Sequence, residues 1–245
     1  MSLDSILSVT SAFGEAVVLA LLVRRGTWKM LPAFSIYLLW TLLSDIMSFY
    51  FERYLTHSSY VRFYIMTMSV DAILQFAVLV ELGWSVLRPV RNSLPRGTLY
   101  ALAGLVAVVG LAIWPLAGIA TPDSLDSRSA IMFHLNETFA ILRIICFLVL
   151  AGFSQLLSIG WRDRELQIAT GLGLYSIVSL LATLLYSHQT SKAQFLFLND
   201  AVSISYLCTL SYWVYSFSAK EYQRKEFSPQ MQEFLLLMGG GARKP

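Results

Sequence analysis

The sequence predicts an all-α, polytopic membrane protein: a seven-transmembrane-helix bundle with its N-terminus outside and its C-terminus cytoplasmic. Three observations carry that expectation. Of 245 residues, 56% are hydrophobic and only 13% charged, about half the charged share of a soluble domain. That leaves too little polar surface to cover a water-soluble globule. Seven apolar stretches also reach the ~20 residues that a helix needs to cross the hydrocarbon core. Finally, the lysines and arginines between those stretches fall mostly on one side, which marks that side as cytoplasmic.

The first stretch, roughly 5–23, follows a start without basic residues, Met1 to Asp4. A cleaved leader would carry such residues, so this helix is expected to remain in the mature protein. It stops at Arg24-Arg25-Gly26. The second, 31–51, is the least apolar, because Asp45 and several serines interrupt it. The third, 61–87, is long enough to require tilt or extension past the lipid and ends at Arg88-Pro89-Val90-Arg91. The fourth, 98–120, is closed by Thr121-Pro122-Asp123. The fifth, 130–159, is again over-long, and 166–187 and 195–218 complete the set. Residues 1–218 therefore form one membrane domain.

The remaining segment, 219–245, is a cytoplasmic tail. Phe227, Met231, Phe234, Leu235 and Met238 recur there at helical spacing behind Arg224 and Lys225. That pattern suits either a short amphipathic helix on the cytoplasmic leaflet or a partly ordered tail. Gly239-Gly240-Gly241 ends any helix.

Orientation rests on counting. Arg24, Arg25, Lys29, Arg88, Arg91, Arg96, Arg162, Arg164, Lys220, Arg224, Lys225, Arg243 and Lys244 fall on one side, thirteen of the eighteen basic residues. Arg53, Arg62, Arg128 and Lys192 fall on the other, and Arg143 lies within the fifth helix. The location this predicts is a plasma or inner membrane, crossed several times.

Helices one to three and five to seven share the same in-and-out order, with the fourth between them. Asp71-Ala72-Ile73 precedes Trp84 as Asp200-Ala201-Val202 precedes Trp213, thirteen residues from acid to tryptophan in both. The echo hints at duplication, but Glu15 and Glu137 do not keep matching distances to their turn tryptophans. The plan resembles both seven-helix sensors and three-plus-one-plus-three sugar transporters. The transporters usually carry kinking prolines in several repeat helices, whereas only Pro32 and Pro115 lie in spans here.

Ionisable residues within the spans carry the functional information, because each costs about 2.5–3.5 kcal/mol at the bilayer centre unless paired or wet. Glu15, Asp45, Asp71, Glu81, Glu137, Arg143 and Asp200 qualify. Helical spacing groups them into polar stripes: Ser8, Ser11 and Glu15; Thr41, Asp45 and Ser48; Asp71 with Gln75. Asn199, Ser203 and Tyr206 form another, with Asp200 beside them. On the fifth helix Asn136 and Arg143 point the same way, with His134 and Glu137 as an adjacent strip. The stripes are expected to converge on an outward-facing polar cavity built from Asp45, Asp71, Gln75, His134, Asn136, Glu137, Arg143, Asn199 and Asp200. Carboxylates outnumber its one fixed positive charge, which suits a small cation, an amine or a proton better than an anion. Read structurally instead, Arg143 pairs with one or two carboxylates to lock the bundle, and the serines and threonines serve helix contacts.

Several chemistries are absent. His57, His134 and His188 lack metal-ligand spacing, and no phosphate-binding glycine loop, HExxH or GxSxG pattern occurs. Gly171 and Gly173 suit close helix packing. The seventh stretch holds no lysine for a retinal Schiff base, and Asn136-Glu137-Thr138, though a sequon, lies at membrane depth. Cys146 and Cys208 sit in apolar runs and read as buried small hydrophobes. Trp40, Tyr50, Tyr54, Tyr60, Trp84, Trp161 and Trp213 cluster near helix ends, as interface anchors do. No enzyme, catalytic residue, metal, cofactor or nucleic-acid partner is predicted. The bilayer is the first partner. A membrane sensor with a cytoplasmic or membrane protein partner, a small-solute or cation transporter, and a scaffold subunit are the three readings left open.

Overall fold

In the computed structural model, residues 3–54, 57–87, 97–117, 127–152, 163–186 and 192–219 are described. They form an all-helical bundle: α1 (Leu3–Arg25), α2 (Pro32–Tyr54), α3 (His57–Val86), α4 (Thr98–Ala117), α5 (Ser127–Gly152), α6 (Arg164–Tyr186) and α7 (Lys192–Ser218). No strand occurs among the described residues. Parts of α1, α3, α4, α5 and α6 are long and apolar enough to cross a membrane. α2 and α7 are as long as their neighbours but carry more polar side chains.

The surface is inverted relative to a water-soluble protein. Phe13, Leu111, Phe197 and Tyr215 stand exposed, while Ser11, Glu15, Gln75, Glu137, Arg143 and Ser176 are buried. Lipid, not water, is the solvent that such an exterior matches.

Six helices close a ring in the order α1, α2, α3, α5, α6, α7, with α7 returning to α1, and α4 packs outside against α3 and α5. The contacts fix directions. Glu15 and Arg25 of α1 meet Tyr206 and Ser218 of α7, so these two helices run parallel. Phe34 meets Glu81, and Phe51 meets Phe63, so α2 and α3 are antiparallel. Ser85 meets Glu165, and Gln167 meets Trp213, which extends the antiparallel pattern to α6.

The ring gathers its apolar core at the end where α1 finishes. Val18, Leu22, Phe34, Leu38, Leu82, Leu166, Leu210 and Trp213 are almost fully buried there. Phe34 sets its ring edge-on to Trp213, 5.1 Å between centroids, and also meets Phe217 at 6.4 Å. Gly171 and Gly173 let α6 come this close. A methyl group on Gly171 would collide with Trp213 Nε1 and lie 2.7 Å from its Cε2, and one on Gly173 would fall 2.6 Å from Phe147 Cβ.

The helix ends in this region are closed by side chains from elsewhere in the ring. α1 stops at Gly26, whose φ of 70° is the left-handed conformation that ends helices, and a short 3₁₀ turn, Thr27–Lys29, leads to Pro32. Of the first amides of α2, Ser35 N–H donates to the Leu31 carbonyl at 3.2 Å, and those of Ala33 and Phe34 look to another helix. Glu81 of α3 receives Ala33 N–H and Phe34 N–H at 2.8 Å each. An acidic group there also complements the positive end of the helix dipole. The C-terminus of α7 is served in the opposite sense. Arg164 donates to the carbonyls of Ser216 at 2.7 Å and Ala219 at 3.0 Å, and Arg25 donates to that of Ser218.

Several sequence expectations are altered by these contacts. Trp213 is no interface anchor: it is 1% exposed and donates to the Gln167 carbonyl. Cys208 is exposed on the outer face of α7 rather than buried, and Cys146 is half-buried. The two aspartate–tryptophan echoes are not equivalent, since Trp84 is only half-buried. The amphipathic tail, the 153–159 end of the fifth stretch, Trp161 and His188 lie outside the described residues.

Candidate functional site

At the other end, where α1 begins, the ring opens around a polar cavity of about 450 Å³. Each ring helix contributes. α1 supplies Ser8, Ser11 and Glu15; α2 supplies Tyr37, Thr41, Ser44 and Asp45; α3 supplies Thr67, Asp71 and Gln75. Asn136 and Arg143 come from α5, Tyr175 from α6, and Asn199, Ser203 and Tyr206 from α7. The polarity of α2 and α7 is thus concentrated on this wall. Helices that a lipid span would make wholly apolar keep their serines, asparagine and carboxylate where the ring is wet.

Exposure gives the direction of the opening. Ser8, Asp45, Asn136 and Asn199 are exposed, whereas Ser11, Glu15, Gln75 and Arg143, further along their helices, are buried. The mouth therefore faces the start of α1, and the floor lies about 18 Å along α1, at Glu15, with 1.5 Å of rise per residue. Below it, the gap between Gln75, Arg143, Val78, Leu79 and Leu172 has no room for a water molecule. The aromatic and aliphatic core then seals the ring.

Hydrogen bonds on the wall are incomplete. Tyr206 donates its hydroxyl to Glu15 Oε1, joining α7 to α1, and Gln75 donates to Asp71 one turn before it. Among the described residues, Glu15 Oε2, Gln75 Oε1, Thr67 Oγ1 and Arg143 Nε have no hydrogen-bond partner. Arg143 stands over the Tyr175 ring, 5.6 Å from its centroid, a stacking that fixes the guanidinium plane.

Six of the nine residues singled out in the sequence line this cavity: Asp45, Asp71, Gln75, Asn136, Arg143 and Asn199. The other three do not. His134 turns to α4, its ring 5.4 Å from that of Trp114. Glu137 is buried with neither carboxylate oxygen hydrogen-bonded, away from the cavity wall. Asp200 is half-buried and does not line the cavity. Helical geometry explains the split. Successive residues are turned by about 100°, so Glu137 points about 100° from Asn136 and His134 about 160°. Asp200 is displaced in the same way from Asn199. Glu15 and Tyr206, visible in the sequence as members of polar stripes, belong to the wall. Tyr37 and Tyr175 were not legible, because tyrosines inside apolar runs read as packing.

Among the described residues no group of three or more His, Cys, Asp or Glu is placed to hold a metal ion. No protein-family model, curated protein or solved structure matches this chain, so the cavity itself carries the functional reading.

Proposed function

We propose that the chain is a seven-span membrane sensor, N-terminus outside and C-terminus cytoplasmic, that binds a small ligand in the outer cavity and passes helix movement to a cytoplasmic partner. The observation that carries this reading is a charged cavity open at one end of the ring and closed at the other by Phe34, Trp213 and their neighbours. The orientation is supported by Arg24, Arg25, Lys29 and Arg164, all at the sealed end. Repeat transporters typically bind substrate at discontinuous helices, and the six helices around this cavity run unbroken, which favours sensing over transport. A ligand moves such a bundle only through unequal affinity for its conformations. Wall groups drawn from six helices give it contacts that a change in ring shape would alter.

Labelling of single cysteines by a membrane-impermeant maleimide tests this without knowledge of the ligand. In a chain carrying Cys146→Ala and Cys208→Ala, Ser44→Cys on the cavity wall is expected to react from the extracytoplasmic side only. Reaction from both sides replaces sensing by transport, and reaction from the cytoplasmic side alone reverses the orientation. Failure to react from either side means that the cavity is closed and sinks the reading.

A further inference from the structure

The charged groups around the cavity are held apart rather than joined. Arg143, 4% exposed, makes no ion pair among the described residues; its contact is the Tyr175 ring, and its Nε has no hydrogen-bond partner. Three carboxylates, Glu15, Asp45 and Asp71, line the same cavity from α1, α2 and α3. Glu15, 1% exposed, keeps Oε2 unpartnered. An arginine that only locked a bundle would close onto a carboxylate, because a buried charge left single is strongly destabilising. Here the opposite charges face one wet volume, with the cation on α5 and the acids on α1, α2 and the neighbouring α3.

A ligand that carried only an ammonium group would satisfy the acids and leave the guanidinium repelled and unpartnered. One that carried only a carboxylate would do the reverse. We propose that the cavity binds a small zwitterion bearing an ammonium and a carboxylate, an amino-acid-like solute, with its carboxylate on Arg143 and its ammonium among Glu15, Asp45 and Asp71. The planar guanidinium, already stacked on Tyr175, presents the fork that receives a carboxylate through two parallel hydrogen bonds. The acids and the tyrosine faces suit an ammonium. A volume of about 450 Å³ falls within the ~300–1,000 Å³ usual for small-molecule sites, and so excludes a folded partner or a long peptide. The inference rests on the cavity being a ligand site, and it narrows the sequence expectation of a simple cation to one with an anionic group attached.

The test uses the full chain in lipid nanodiscs, with thermal shift and calorimetry against five probes: glycine, 4-aminobutyrate, 6-aminohexanoate, butylamine and butyrate. At least one zwitterion is expected to bind ten times or more tightly than both monofunctional compounds. Arg143→Gln should cut zwitterion affinity at least tenfold and leave butylamine unaffected. Asp45→Asn, at the exposed rim where folding is not at stake, should weaken zwitterion and butylamine alike. Butylamine binding as tightly as 4-aminobutyrate, with no response to Arg143→Gln, overturns the zwitterion and leaves the cavity as an amine site. Binding by none of the five overturns the zwitterion as well. Maleimide reaction at Ser44→Cys then decides separately whether the sensor reading survives.

Discussion

The two ends of the ring use the same kinds of side chain to opposite purposes. At the sealed end, buried ions are matched to helix termini and hydroxyls. Glu81 receives two amides of α2, Ser85 donates to Glu165 at 2.6 Å, and Arg164 reaches two carbonyls of α7 and the Gln167 amide oxygen. At the open end, among the described residues, Arg143 has an aromatic face and no acceptor, and Glu15, Gln75 and Thr67 each keep an oxygen free. A buried charge in a membrane protein is therefore no guide to function by itself. What separates a lock from a site is whether an unpartnered charge also faces a cavity, which Arg143 does and Glu137, equally unpartnered, does not.

That contrast can be broken most directly by removing one arginine from each end. Arg164→Met leaves two carbonyls at the end of α7 without their charged donor and should cost about 3 kcal/mol, since hydrogen bonds to charged groups are worth roughly 1.5–3 kcal/mol each and are not additive. The loss would be read as a lowered midpoint of unfolding in mixed micelles. Gly171→Ala forces the Trp213 indole to shift and should cost about 2 kcal/mol, in the range for overpacked cores. Gly104→Ala, on an open face of α4 with nothing within 4 Å, serves as its control and should not destabilise. Glu81→Gln keeps one acceptor for α2 but loses the charge, at a cost of about 1 kcal/mol. The smallest loss belongs to Arg143→Met, which should leave the unfolding midpoint unchanged or raise it, because an unpaired buried ion gives way to a methionine. If Arg143→Met and Arg164→Met lower the unfolding midpoint equally, the two ends are not different in kind.

Much of this was legible before any coordinates. Within the described residues the seven helices follow the apolar stretches, and five of them hold segments long and apolar enough to cross a membrane, a property that length and composition announce. Residues on one stripe were also legible: Asn136 with Arg143, and Asn199 with Ser203 and Tyr206, line the cavity together. How each helix is rotated about its own axis was not, and this rotation separates Asn136 from Glu137 and Asn199 from Asp200. It depends on which neighbours pack where, as with Phe147 seated on Gly173. The bond from Glu81 to α2 joins residues 47 and 48 apart, and no local pattern signals such a contact.

If α2 is one of seven spans, as proposed, that same bond bears on how it would enter the bilayer. α2 carries at its first turn two amides whose acceptor is synthesised later, on the far part of α3. Phe34, one of the two, is fully buried in the finished protein. Until α3 arrives these donors must stay in the headgroup region, where water can serve them. Insertion of α2 and α3 as a hairpin, rather than one after the other, would then follow. A nascent chain stalled before residue 81 would hold α2 short of its final depth.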